Sequence, residues 1–137
     1  MSDFFTSLHI SGSGLSAERT RLNLASSNLA NAETTRTAEG GAYKRLDPVF
    51  QAVPATGDAT GPQGVTVAQV VADQTEGKKV YSPGHPDADT EGFVTMPNVN
   101  PVHEVVNLLS ASRGYEANST AVETLKQMAG RALDILK

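Results

Sequence analysis

The apolar residues near the start of the chain recur at the spacing of an α-helix. Leucines occupy every seventh position, and a second apolar series repeats by seven two residues further along. The first series is Leu8, Leu15, Leu22 and Leu29, and the second is Ile10, Ala17 and Leu24. Two residues turn an α-helix by roughly 200°, so the series lie on nearly opposite sides. We expect a helix from Phe4 to about Ala32 whose second series faces water in a single chain, because one helical partner covers only one side.

A second helical pattern begins after Pro101, a residue suited to the first turn of a helix. Its apolar positions repeat every seven residues and have apolar neighbours on both sides. The central series is Leu108, Tyr115, Val122, Ala129 and Leu136, flanked by Ala111, Leu125 and Ala132 and by Ala121, Met128 and Ile135. Packing in the core of its own domain is the ordinary interpretation of such a helix. However, a helix of about 35 residues is roughly 50 Å long, so much of it needs a partner elsewhere.

Four strand-like runs, bounded by turn residues, lie between the helices. They are YKRLDPVFQAV, VTVAQVVAD, KKVYS and GFVTM, and the second places Val65, Val67 and Val71 on one face of an extended strand. They predict a small antiparallel β unit over about residues 43–96, with residues 54–63 as an exposed loop.

The predicted fold class is therefore α+β, with long N- and C-terminal helices forming a coiled-coil-like pair and a small antiparallel β-rich middle domain. Residues 1–34 and 99–137 are expected to form a discontinuous terminal-helix assembly domain, and residues 35–98 a linker and the middle domain. We expect the helices to order only on assembly, while the middle stays folded without them.

Composition and charge exclude several classes of protein. The 137 residues suffice for one domain, and 5% aromatic residues with no Trp leave few large side chains for a core. A net charge of -4 without a basic cluster argues against nucleic acid. The absence of cysteine excludes disulfides and thiolate chemistry. Asp3, Ser11 and Gly12 are unlike a secretory signal, and no apolar run approaches the ~20 residues of a membrane span.

One stretch, SPGHPDADTEG at residues 82–92, resembles a metal site. Asp87, Asp89 and Glu91 fit the first half of a calcium loop, with His85 nearby, but the twelfth position is Asn98 instead of Glu. A polar turn between two strands is the favoured interpretation, and a soluble calcium-binding module is the alternative.

Catalytic motifs are absent from the sequence. His9, His85 and His103 are far apart and have no accompanying nucleophile pattern. The glycines of SGSG at residues 11–14 lie inside the predicted helix, where they permit close approach of another helix. We expect no enzyme activity, no cofactor and no bound metal.

The segment LASSNLANAETT places Asn28 and Asn31 near the predicted end of the first helix. Amide side chains there cap free carbonyls or accept a left-handed backbone. The surrounding run NLASSNLANAETTRTAEGGAYKR, residues 23–45, resembles the N-terminal signature of bacterial flagellar rod and hook proteins. In that family a long helix ends in an Asn-x-x-Asn segment followed by Thr and a Tyr-Lys-Arg.

Residues 80–118, VYSPGHPDADTEGFVTMPNVNPVHEVVNLLSASRGYEAN, extend this resemblance and are similar to the proximal rod members in particular. The insertion TTRTAEGGAY and the run PGHPDADTEGFV are features of those members. Pro101 departs from the pattern, since relatives tend to carry an aliphatic residue there.

The resemblance implies a structural subunit of the flagellar basal-body rod, which crosses the periplasm and transmits motor torque. It implies export by the flagellar type III apparatus without a cleaved signal peptide, and assembly with other copies and other rod proteins. In that family the terminal helices pair as the inner layer of a tube. The expected assembly interface comprises Leu8, Leu15, Leu22, Asn28, Leu29, Asn31, Leu108, Tyr115, Asn118, Val122 and Leu125.

Overall fold

The computed structural model describes residues 2–58 and 60–135 and has the α+β arrangement that the sequence predicts. Its elements in chain order are helix α1 (Ser2–Ala30), strands β1 (Leu46–Pro54), β2 (Gln63–Ala72), β3 (Lys79–Tyr81) and β4 (Phe93–Thr95), and helix α2 (Pro101–Ile135). β1 pairs with β2, and β3 pairs with β4, both antiparallel, in two separate two-stranded sheets. No helix within the described ranges is long and apolar enough to cross a membrane.

Helix α2 begins at Pro101 because the preceding residue caps it. Asn100 Oδ1 accepts a hydrogen bond from Val102 N at 3.0 Å, which satisfies one of the free N–H groups of the first turn. Proline has no N–H to satisfy at this first position. The predicted start of the second helix is therefore confirmed, although Leu136 lies outside the described residues.

The two helices pair in antiparallel orientation through small residues. A Cβ on Gly14 of α1 would lie 2.9 Å from Asn118 Nδ2, and one on Gly114 of α2 would lie 2.8 Å from Glu18 Oε1. Each helix thus places a polar side chain over a glycine of the other. The buried apolar residues on the same faces of the two helices are also small, namely Ala25 and Ala111. The expectation that a glycine of SGSG admits a second helix is confirmed for Gly14.

The β1–β2 hairpin packs on α1 and covers the side that the sequence left unpartnered. Ala17 is only 6% exposed, and Ile10 and Leu24 are half-buried. Ser13 Oγ accepts a hydrogen bond from Val65 N of β2 at 3.0 Å, which fixes one end of the hairpin to the helix. The expectation that Ile10, Ala17 and Leu24 face water in a single chain is wrong, because the chain's own hairpin supplies the second partner.

A β-bulge in β2 changes the face of the sheet on which the side chains beyond it lie. Val49 of β1 pairs with Gln69, but the next residue, Phe50, pairs with Val67, so Ala68 has no partner. One extra residue reverses the alternation of side chains beyond it. Val71 is consequently exposed on the face opposite Val67, so the prediction that Val65, Val67 and Val71 share one face is wrong.

Candidate assembly interface

Asn28 lies at the centre of a buried polar cluster between α1, the start of β1 and the start of α2. Its side chain is almost fully buried, with 1% of the residue exposed. Asn28 Nδ2 donates hydrogen bonds to Leu46 O at 2.9 Å and to Glu104 Oε2 at 3.2 Å. Its Oδ1 accepts from Leu46 N at 2.9 Å and from the Tyr43 hydroxyl at 3.0 Å. Both N–H groups and both acceptor positions of the amide are therefore used.

Asn31 has only local partners. Its Nδ2 donates to Ser27 O at 2.9 Å, and its Oδ1 accepts from Thr34 Oγ1 at 3.1 Å. The carbonyl of Ser27 belongs to the last turn of α1 and also accepts from Asn31 N at 3.0 Å, so the Asn31 side chain caps the helix by adding a second hydrogen bond to this carbonyl. The capping prediction is thus confirmed for Asn31 and wrong for Asn28. Neither adopts a left-handed backbone, since the positive φ values of the described residues all belong to glycines.

Glu104 and Arg45 form the charged part of the cluster. Glu104 is 1% exposed, and its Oε1 accepts a hydrogen bond from Arg45 Nε at 2.6 Å. Arg45 also forms an ion pair with Asp47. Burial lowers the pKa of the Arg45 guanidinium, but the hydrogen bond and charge of Glu104, with Asp47 and Asp73, outweigh it and raise the pKa. Arg45 therefore stays charged and compensates the buried carboxylate of Glu104.

Asn98 links the backbone of Arg45 to the segment that follows β2. Asn98 Oδ1 accepts from Arg45 N at 2.8 Å, and its Nδ2 donates to Asp73 O at 3.0 Å and to Thr75 O at 2.9 Å. One amide thus connects the entry to β1 with the segment that leaves β2.

The residues predicted to form the assembly interface differ in exposure. Asn28 is buried and Tyr115 is exposed. The others are half-buried: Leu8, Leu15, Leu22, Leu29, Asn31, Leu108, Asn118, Val122 and Leu125. Asn118 lies over Gly14 and donates to Gly114 O at 2.9 Å, so its amide is used within the chain. The predicted set does not form one exposed surface.

A different row of apolar residues is exposed at the start of α2. We call it the outer stripe, and it consists of Val102, Val105, Val106 and Leu109. These positions follow the i, i+3, i+4, i+7 spacing that places side chains on one face of a helix. Glu104 and Ala111, which are buried towards α1, lie on the other side. The sequence VHEVVNLL shows the same spacing of apolar residues, so this face can be predicted from the sequence.

Comparison with known proteins places the chain in a family. Residues 8–36 match the family described as flagella basal body rod protein, and residues 90–135 match the C-terminal family of flagellar basal body rod FlgEFG proteins. The flagellar basal-body rod protein FlgC of Salmonella typhimurium is 48% identical over 126 residues, covering 92% of each chain. Those of Borreliella burgdorferi and Bacillus subtilis are 40% and 39% identical, covering at least 97% of each chain. The chain belongs to the flagellar basal-body rod protein family.

Family membership places the chain in the flagellar basal body and relates the buried cluster to the matched segments. The N-terminal match contains Asn28, and the C-terminal match contains Glu104 together with the outer stripe. Tyr43 and Arg45 lie between the two matches. The polar cluster therefore connects the two rod-family segments through the intervening part of the chain.

The calcium-binding alternative has no support from the family or from the geometry. Asp87 Oδ2 accepts from Thr35 Oγ1 at 2.8 Å, and Asp89 Oδ1 accepts from Glu91 N and Phe93 N at 2.9 and 2.8 Å. Across residues 2–58 and 60–135, no group of three His, Asp or Glu side chains is arranged to hold a metal ion. The stretch 82–92 is a polar turn between β3 and β4, as favoured from the sequence.

Proposed function

We propose that the chain is a structural subunit of the flagellar basal-body rod that polymerises through its terminal helices into the helical tube crossing the periplasm. The observation that carries the proposal is the outer stripe. Val102, Val105, Val106 and Leu109 are 71, 44, 59 and 58% exposed, although all four are large apolar residues on one helix face. Full burial of one such side chain contributes roughly 1.5–3 kcal/mol, so a neighbouring subunit that covers the stripe gains considerable free energy.

A helical polymer also requires contacts between different surfaces of successive subunits. The pairing of α1 with α2 leaves the outer stripe free on one side and Tyr115 exposed along the same helix. The half-buried residues of the predicted interface support this arrangement in another way, since they hold the helices in the pair that presents the stripe. We assign Leu8, Leu15, Leu22 and Leu29 to that supporting role.

The partners in this proposal are other copies of the chain and other rod proteins, and the chain's role is to transmit torque instead of to catalyse a reaction. We also propose delivery by the flagellar type III export apparatus. A chain that passes unfolded through a narrow channel benefits from a small core. The buried apolar residues among the described positions are Ala17, Ala25, Val94 and Ala111, which supports this route.

The first prediction tests the outer stripe by placing a charge on it. Val106→Asp should abolish swimming when it replaces the natural protein in cells, because docking would bury an unpaired carboxylate at a cost of several kcal/mol. The isolated chain should keep its fold, because the side chain is solvent-exposed there. Swimming in soft agar and the amount of the chain in isolated basal bodies measure the effect.

Gln127→Asp is the control, since it adds the same charge at an exposed position of the same helix, about five turns beyond the end of the stripe. It should support normal swimming. Normal swimming of cells carrying Val106→Asp, with the variant present in their basal bodies, would show that the stripe is not an assembly surface.

A further inference from the structure

The buried polar cluster joins three segments that are far apart in sequence. Its members are the side chains of Asn28, Tyr43, Arg45 and Glu104 and the backbone of Leu46, and we call it the latch. Asn28 is in the last turns of α1, Leu46 is the first residue of β1, and Glu104 is in the first turn of α2. We propose that, through the latch, the β1–β2 hairpin packs stably on α1 only while α1 is paired with α2.

Asn28 takes the place of a neighbouring strand at the edge of the hairpin. Both the N–H and the C=O of Leu46 pair with the Asn28 amide, at 2.9 Å each. These groups point away from β2, so without Asn28 they would be unpaired groups of an open edge. The hairpin is fixed to α1 at this base and, near its other end, by Ser13 and Val65.

Glu104 of α2 holds the amide in the orientation that Leu46 needs. One N–H of Asn28 Nδ2 points to Leu46 O and the other to Glu104 Oε2. Glu104 in turn accepts from Arg45, the residue immediately before Leu46. The contacts therefore close a ring through all three segments, and withdrawal of α2 leaves Arg45 and Asn28 with unused donors.

Opening the ring of hydrogen bonds is unfavourable because the residues at its centre are buried. Asn28 and Glu104 are each 1% exposed. A buried polar group that loses its hydrogen-bond partner is unfavourable, and a buried charged group more so. Partial states in which one segment leaves and the others stay are thus unfavourable, which is how the latch couples the segments.

The hairpin also needs this support. A two-stranded hairpin is only marginally stable by itself in water. In the described part of the chain the backbones of β1 and β2 pack against α1 and each other and do not approach α2, so the latch supplies the hydrogen bonds that link α2 to the base of the hairpin. The hairpin is therefore expected to lose its packing when the helices separate, in contrast to the expectation that the middle stays folded without them.

Asn28→Ala and Asn31→Ala form a matched pair of variants for the second prediction. Both remove an amide from the same end of α1, but Asn31 bonds only within its own turn. Hydrogen–deuterium exchange of the purified full-length chain should be roughly tenfold or more faster in Asn28→Ala across β1, β2 and the first turns of α2 together. Asn31→Ala should accelerate exchange only around residues 31–37.

Tyr43→Phe provides a milder variant in case Asn28→Ala does not fold. It removes one hydrogen bond to Asn28 Oδ1 and should produce the same pattern at smaller size. The proposal is overturned if Asn28→Ala accelerates exchange only next to Leu46. It is also overturned if, in the natural chain or in any of these variants, hydrogen–deuterium exchange is slow in the hairpin while it is fast in α1 and α2.

Discussion

At the residue scale, single side chains connect parts of this fold that the helices and strands alone would leave separate. Asn28 connects α1 with β1 and α2, and Asn98 connects the entry to β1 with the exit from β2. Each amide supplies donors and an acceptor within a few ångströms, so it binds backbone N–H and C=O groups simultaneously. The subunit is therefore held together by amide side chains as well as by its small apolar core.

Asp73, which lies next to this network, gives a third prediction. The hydroxyl of Thr75 donates to Asp73 Oδ1 at 2.6 Å, and the backbone N–H of Thr75 donates at 2.9 Å. These bonds hold the pKa of Asp73 below its ordinary value. Thr75→Val removes the hydroxyl with little change of shape, so the pKa of Asp73 should rise towards that value. Titration of the carboxyl carbon by NMR measures it.

The sign of the associated pH dependence follows from linkage. Because the pKa of Asp73 is lower in the folded chain, its carboxylate adds stability that is fully present above the unfolded pKa of about 3.9. That contribution is lost as pH falls through the folded pKa. Asp58, whose pKa is lowered by Thr60, is an internal control and should not change in Thr75→Val. An unchanged pKa of Asp73 in that variant would contradict the assignment.

Whether the role of a residue can be predicted from the sequence depends on how far along the chain its hydrogen-bond partners lie. Asn31 bonds within four residues of itself, so its capping role follows from its place at the helix end. Asn28 bonds to Leu46 and Glu104, which are 18 and 76 positions away. No local pattern encodes such partners, so Asn28 was predicted at the right place but with the wrong partner.

At the scale of the elements, the helix pair depends on close approach, and two glycines of α1 allow a fourth prediction. Gly12 has no atom within 4 Å of an added Cβ, whereas a Cβ on Gly14 would meet Asn118. Gly12→Ala should raise the free energy of unfolding by about 0.5–1 kcal/mol, because alanine favours the helix. Urea denaturation of the full-length chain measures it.

Gly14→Ala brings the same gain in helix propensity, but its new Cβ would contact a neighbouring side chain. Its Cβ would displace the Asn118 side chain, which donates to Gly114 O at 2.9 Å, and a hydrogen bond contributes about 0.5–1.5 kcal/mol. Gly14→Ala should therefore be clearly less stable than Gly12→Ala. Equal stabilisation by both substitutions would mean that the contact between Gly14 and Asn118 does not constrain the pair.

Element boundaries were predictable where local signals mark them. Helical periodicity gave both helices to within two residues or so, and the pair Asn100 and Pro101 marks the start of α2. The bulge at Ala68 was not predictable, since residues 65–72 around it contain no glycine or proline to mark it. That single residue determines on which face of the sheet Val71 lies.

At the scale of the whole molecule, the question is which apolar surface remains for neighbouring subunits. Two apolar sides of α1 suggested that the first helix needs a partner from another chain. The hairpin covers one of those sides, and α2 pairs with the helix, so the exposed apolar surface lies elsewhere. The outer stripe is the part of that surface at the start of α2, and Met128, Leu133 and Ile135 are exposed further along the same helix. The division into a terminal-helix assembly domain and a middle domain stays a prediction.

The most direct test of assembly through α2 uses the absence of cysteine from the chain. Val106→Cys introduces a single thiol in the outer stripe with little change of shape, and a maleimide reports whether it is accessible. We predict rapid labelling of this chain in the free state and in denatured basal bodies, and protection in intact basal bodies. Labelling in intact basal bodies as rapid as in the free chain would contradict the account, because the stripe would then face solvent in the finished rod.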